Sequence, residues 1–279
     1  GLAAFLPIDL TDDQSVKETI QRIRTEHGER IASVVHLAAY FDLTGEPDPK
    51  YQAVAVEGTS RLLRALQDLS VEQFVFSSTM LVHAAGRHGD RIDEDRPLDP
   101  KLPYRASKID TEGQVRTERG RIPVVLLGAA GLYDDWCRAP FLAHQIARLS
   151  GIVPEIVPQI YEQSPKSHVY PGDPMTAQAW LHVDDLTDAA VRLIERRADL
   201  PEELELLVGE PYAMSCEGIQ NRMGRLLHDK DWQTWQVPKG LAKTGAWLED
   251  TVFGEDAFIA PWMVDVADDD YTLDIKRAR

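Results

Sequence analysis

The sequence predicts an α/β fold: a parallel sheet with helices on both faces, joined to a smaller substrate-binding lobe. Three observations predict it. Short, wholly apolar runs alternate with amphipathic stretches along the chain, and strand–helix–strand order with strands apolar on both faces belongs to a doubly covered parallel sheet. The 279 residues suffice for one large α/β domain with a smaller lobe. Past Tyr133 the texture changes, first to proline-rich and then to tryptophan-rich chain.

The strands expected are Leu2–Ile8, Ala32–Leu37, Gln73–Ser77, Pro123–Gly128 and Glu205–Val208, each a short apolar run. Helices are expected between them. Asp12–His27 carries Val16, Ile20 and Ile23 at helical spacing, and Tyr51–Leu69 carries Leu62, Leu63 and Leu66. Ser107–Arg119 is polar, and Asp185–Arg197 carries Leu186, Ala189, Ala190 and Leu193. Residues 134–179, with Pro140, Pro154, Pro158, Pro165, Pro171 and Pro174, and residues 209–279, with Trp232, Trp235, Trp247 and Trp262, read as the lobe. The tryptophans read as its core. Residues 180–208 read as a return to the sheet. The chain opens without Met and directly on a strand-like run, and it closes on what looks like the first turn of a helix, so a fragment of a longer protein is expected.

Composition narrows the function. The net charge of −16 argues against a nucleic-acid partner, which needs a broad basic surface. The longest apolar run, Ile122 to Tyr133, is too short to span a bilayer, and the N-terminus has no basic region ahead of an apolar one. With only Cys137 and Cys216, a reducing, cytoplasmic setting is expected. His83, His88 and Asp90 lack a convincing ligand pattern, so no metal is expected. No G-x-S-x-G elbow occurs, which disfavours a hydrolase.

The chemistry concentrates in Tyr104-Arg-Ala-Ser-Lys108 and Ser77-Ser78-Thr79. Tyr and Lys four apart at the start of a helix share a face. An ammonium beside a phenol favours the phenolate, so Tyr104 is expected to titrate well below about 10. Such a tyrosine gives or takes a proton at a hydroxyl or carbonyl oxygen. The Ser/Thr cluster closes a strand, which puts its hydroxyls at the C-terminal edge of the sheet, where ligands bind in open α/β folds.

Together with the segments around them, these residues resemble the extended short-chain dehydrogenases/reductases, the NAD-dependent epimerase/dehydratase group, whose nucleotide domain is of Rossmann type. Asp9-Leu10-Thr11-Asp12 is similar to the end of the third strand, where the acidic residue meets the adenine. Val34-Val35-His36-Leu37-Ala38-Ala39 resembles the fourth strand, whose small residues admit the cofactor. Phe74-Val75-Phe76-Ser77-Ser78-Thr79 resembles the fifth, with the catalytic hydroxyl on Thr79. His182-Val183-Asp184-Asp185 resembles the segment re-entering the sheet domain, and it reads as a helix N-cap by Asp184 or Asp185.

The resemblance implies a dinucleotide-binding domain over residues 1–133. It makes Thr79, Tyr104 and Lys108 the catalytic set, with Ser78 as a substitute for Thr79. It implies NAD or NADP contacts from Asp9, Leu10, Leu37, Ala38, Ala39, Ser77, Tyr104, Lys108 and Ala130, and substrate contacts from Thr79, His83 and Tyr104. It also implies a homodimer through the helix after Gly58 and the helix carrying Lys108, using Leu62, Leu66, Ile109 and Val115.

The sequence departs from the family at four places. The glycine-rich turn G-x-x-G-x-x-G is absent from the 279 residues, and the match begins at the third strand, which implies N-terminal truncation. Ala55 replaces the family's Asn. Leu127-Gly128-Ala129-Ala130-Gly131 replaces a strand ending in Arg-Pro. Met80-Leu81 follow Thr79 where dehydratases carry an acid and a base. The expected small-molecule substrate is a nucleotide sugar, and the expected reaction is epimerisation through hydride transfer. Oxidation or reduction of a non-sugar alcohol or ketone is the first alternative, and a non-catalytic dinucleotide sensor the second.

Overall fold

The computed structural model describes residues 3–42, 45–135, 169–231, 234–244 and 261–279. Two short strands, β1 (Arg30–Ile31) and β3 (Ser70–Val71), pair in parallel just ahead of the main sheet. That sheet comprises β2 (Val34–His36), β4 (Phe74–Thr79), β5 (Val124–Ala129) and β9 (Glu203–Val208), in the order β2-β4-β5-β9, every pair parallel. The parallel fold follows from the strands' composition: every residue of β5 is buried, so both its faces need a covering layer.

Helices α1 (Asp13–His27), α2 (Glu57–Leu66) and α3 (Pro103–Glu118) cover one face. Their core joins Val16, Ile20, Leu63, Leu66 and Val115 to Phe74, Phe76 and Leu126 of the sheet. The other face packs Val75, Val125 and Leu127 against Leu193 of α4 (Val183–Glu195) and against Tyr271 and Leu273 near the C-terminus. Strand alternation makes this division.

Past β5 the chain leaves through β6 (Gly131–Tyr133) and returns through β8 (Trp180–His182), which pair in parallel. Between and beyond them lie β7 (Val169–Tyr170), paired in parallel with β10 (Trp235–Gln236), and helices α5 (Cys216–His228) and α6 (Pro261–Asp265). Pro140, Pro154, Pro158, Pro165, Cys137, Trp232 and Trp247 lie outside the described residues.

Several expectations need correction. Residues 3–8 form no strand: they pair with no neighbour among the described residues, and Phe5 is 89% exposed. A strand exists only through its ladder partners, which an apolar pattern cannot supply by itself. Helix α3 starts at Pro103 rather than Ser107, because proline at the first helical position costs no hydrogen bond. The cap of α4 is His182, whose Nδ1 accepts from Asp184 N at 3.2 Å, while Asp184 and Asp185 sit in the first turn against the positive end of the helix dipole. Trp235 is 62% exposed and belongs to no core. Leu62, Leu66 and Val115 are buried within their own subunit, so they cannot supply the dimer interface expected of them.

Candidate active site

Parallel register brings the end of β2 level with the end of β4, His36 opposite Phe76. Leu37, Ala38 and Ala39 therefore follow the strand out at the C-terminal edge, at the end where β4 closes in Ser77, Ser78 and Thr79. These three β2-end residues are exposed, with Leu37 at 68%. Helix α3 crosses the same edge and delivers Tyr104 and Lys108 one turn apart.

Thr79 lies beside the Tyr104 phenol and favours its ionised form. The Thr79 hydroxyl also accepts from Leu81 N at 3.3 Å, which holds it at the mouth of a short 3₁₀ turn, Met80–Val82. Phe41 meets Tyr104 edge-on, ring centroids 4.9 Å apart. Tyr51, at the start of a π-helical turn (Tyr51–Val56) leading into α2, meets Tyr40 edge-on at 4.9 Å. The Tyr40 hydroxyl lies 3.0 Å from carboxylate oxygens of both Asp42 and Asp48. Ala55, at the place of the family's Asn, is buried inside the π turn.

The electrostatics differ from expectation. The Lys108 ammonium donates to the Ser77 carbonyl at 2.7 Å and lies 4.9 Å from the centre of the Phe76 ring, but 6.0 Å from that of Tyr104. Burial pushes the phenol up to about 12, opposed by Thr79 and helped by Tyr51. The expected drop toward neutrality does not occur in this arrangement, because desolvation of the phenolate outweighs any nearby cation. Burial also pushes Lys108 down to about 8, with Glu112 opposing. His36, stacked near Phe74 and Phe76, shares a 2.8 Å hydrogen bond with Thr59 Oγ1, and burial holds it down at about 4.

The remaining expected site residues divide. Ser77 contributes its carbonyl oxygen, as acceptor for Lys108. Ser78 does not stand in for Thr79: strand alternation turns its hydroxyl to the α3 face, where it donates to the buried Glu112. His83 does not face the edge. It is 1% exposed, its Nδ1 lies 3.0 Å from the Arg96 carbonyl, and its Nε2 lies 3.8 Å from Glu205 Oε1. Leu10 is a core residue under Gly58, where an added Cβ would come within 2.9 Å of the Leu10 Cβ. Asp9 closes a small turn, its carboxylate accepting from Thr11 N at 2.8 Å and from the Thr11 hydroxyl at 2.7 Å. Ala130 is buried, with its N–H given to Val208.

Sequence reasoning missed Phe41, Tyr51 and Glu112. Spacing offered a signal for Glu112 alone, as the second residue four on along the Tyr104–Lys108 face.

An exposed rim of small residues beside a buried ammonium fits the ribose and nicotinamide end of a dinucleotide. The glycine-rich pyrophosphate turn is not among the 279 residues. The model of the NAD dependent epimerase/dehydratase family matches residues 2–209.

This chain belongs to the NAD-dependent epimerase/dehydratase family.

Within the family it is 28% identical over 125 residues to the uncharacterized UDP-glucose epimerase YtcB of Bacillus subtilis, covering 43% of this chain and 39% of that protein. It is 29% identical over 115 residues to the N-acetyl-alpha-D-glucosaminyl-diphospho-ditrans,octacis-undecaprenol 4-epimerase of Escherichia coli O157:H7, covering 41% and 32%. Each alignment thus spans less than half of the relative's length. Among solved structures, the UDP-glucose 4-epimerase of Thermotoga maritima with UDP-glucose superposes with a TM-score of 0.64 at 17% identity, over 99% of this chain and 77% of that one. A point mutant of the UDP-glucuronic acid 4-epimerase of Bacillus cereus gives 0.62 at 19% identity, over 84% and 68%. These likenesses establish a Rossmann-like parallel α/β fold.

Proposed function

We propose that this family member is an NAD(P)-dependent enzyme acting at a carbinol carbon, and that its substrate is a nucleotide sugar which it epimerises. One observation carries the reading: the end of β4 and the first turns of α3 bring Thr79, Tyr104 and Lys108 together at the C-terminal edge, with Lys108 docked on the Ser77 carbonyl. When bound, the nicotinamide supplies the hydride acceptor and donor. Leu37, Ala38 and Ala39 line its approach, and Lys108 meets its ribose. Thr79 orients the substrate oxygen, and Tyr104 moves the proton at that oxygen. A phenol held near 12 is protonated at neutral pH, so Tyr104 is set to donate toward a forming alkoxide. To accept a proton it needs the Lys108 ammonium drawn closer than the Ser77 carbonyl holds it.

The strand end Leu127–Gly131, without Arg-Pro, favours a second reading: a reductase or dehydrogenase on a non-sugar ketone or alcohol. Assays of UDP-glucose/UDP-galactose interconversion with NAD, and of ketone reduction with NADH or NADPH, distinguish the two. In whichever assay shows turnover, Tyr104→Phe should cost about 10²–10⁴ in rate and leave cofactor affinity nearly unchanged. Full turnover by that variant overturns the catalytic assignment.

A further inference from the structure

Glu112 is charged by type, lies on α3, and is 1% exposed. A carboxylate so placed survives only with partners. One oxygen, Oε1, accepts the Ser78 hydroxyl. The other, Oε2, lies 3.3 Å from an Arg116 nitrogen. Arg116 in turn holds Glu205 at 2.8 Å and Glu203 at 3.0 Å, and Glu205 lies 3.8 Å from His83 Nε2. A connected run of charged and polar groups thus leads from the buried Glu112 near the site edge out to the half-exposed Arg116 and the exposed Glu203.

Glu112 also follows Lys108 by four residues on one helix, the spacing at which side chains on a shared face meet. The groups facing Lys108 come from three elements. From α3 there are Tyr104 and Glu112; from β4, the Ser77 carbonyl and the Phe76 ring; from β2, His36. His36 is neutral near pH 7 and the phenol is un-ionised. Glu112 is the one acid in that set.

We propose that Glu112 is a positioning residue whose carboxylate, anchored by Ser78 and Arg116, is the counter-charge that keeps the buried Lys108 ammonium protonated at the site edge. It touches no reacting atom. Its consequence for turnover rests on the role given to Lys108 above, but the charge relation itself does not. The direction of the Lys108 shift agrees: burial drives it down, and Glu112 pulls it back.

The test is a titration of the Lys108 ammonium by nuclear magnetic resonance in ¹³C,¹⁵N-lysine-labelled protein, its signal assigned by its loss in Lys108→Met. The wild-type midpoint should fall near 8. Glu112→Gln should lower it by about one pH unit or more, and Glu112→Asp, which keeps the charge, should restore most of the difference. An unmoved midpoint in folded Glu112→Gln overturns the proposal. If that variant does not fold, Glu112→Leu, an apolar replacement of similar volume, takes its place, and an unmoved midpoint there overturns it. Because no turnover is read, an enzyme inactive on UDP-sugars whose Lys108 midpoint still shifts removes the functional reading alone.

Discussion

The Lys108 ammonium donates a hydrogen bond to the Ser77 carbonyl at 2.7 Å, while the ring centroid of Tyr104, one turn earlier on the same helix, is 6.0 Å away. The ammonium is therefore docked on the strand rather than on the phenol. With Lys108 held near 8 by burial, the charge is present at pH 7 and is lost as pH rises through 8. Wild-type turnover should decline through that range. Lys108→Met should be slow at every pH, without that alkaline decline, and should bind cofactor less well. Thr79→Val should slow turnover but keep the decline, because Thr79 does not titrate. The pH–rate profiles of the three proteins check this, and an alkaline decline surviving in Lys108→Met refutes it.

His36 should make the fold sensitive to mild acid. Its folded value, near 4, lies below the ordinary 6.5 because charging a buried ring is unfavourable. The unfolded chain takes up the proton first, so stability is full above 6.5 and falls as pH drops toward 4. The loss is on the order of 3 kcal/mol. Urea unfolding between pH 7 and 4 should show this slope, and His36→Gln should flatten it, whatever its stability at pH 7.

Arg105, next to the proposed catalytic tyrosine, ties the C-terminal segment to α3. Its side chain is 5% exposed, with Asp269 at 3.1 Å, Asp99 at 3.6 Å and the Tyr271 ring beneath it at 5.5 Å. Asp99 keeps Lys101 at 3.2 Å, so Arg105→Ala chiefly strips Asp269 of its buried partner, a loss that costs about 3–5 kcal/mol when the partner is buried. Denaturant midpoints measure it, and a wild-type midpoint would mean the pair contributes nothing net.

Gly45 has φ +75°, and an added Cβ would come within 2.6 Å of the Trp262 ring. Gly45→Ala meets both penalties, left-handed backbone strain and a clash with a rigid indole. It should destabilise the protein by about 1–3 kcal/mol. The effect should reach the site, because this loop carries Tyr40 and Phe41 at one end and Tyr51 at the other. Thermal melting, with turnover of the surviving folded protein, tests both parts.

Much of the architecture is legible without coordinates. Val124-Val-Leu-Leu127 is apolar at consecutive positions, and a strand buries all four only when both its faces are covered. Val16 and Ile20, or Leu62, Leu63 and Leu66, mark helix faces by spacing alone. Tyr104 and Lys108 share a helix face by the same arithmetic. These are local properties, set by backbone periodicity and by which residues avoid water.

Tertiary structure decided the rest. Whether Leu2–Ile8 is a strand depends on a neighbour to pair with, and the described residues provide none. Ser78 and Thr79 are adjacent hydroxyls of similar chemistry. One bonds Glu112, 34 residues on, and the other accepts from Leu81 N at the mouth of the next turn, because the pleat turns them to opposite faces. His83 looked like a substrate residue but is sealed among Arg96, Glu205 and Tyr271. The phenol near 12 and the ammonium near 8 follow from desolvation. Desolvation is a sum over atoms brought together from distant parts of the chain, and no local spacing encodes it.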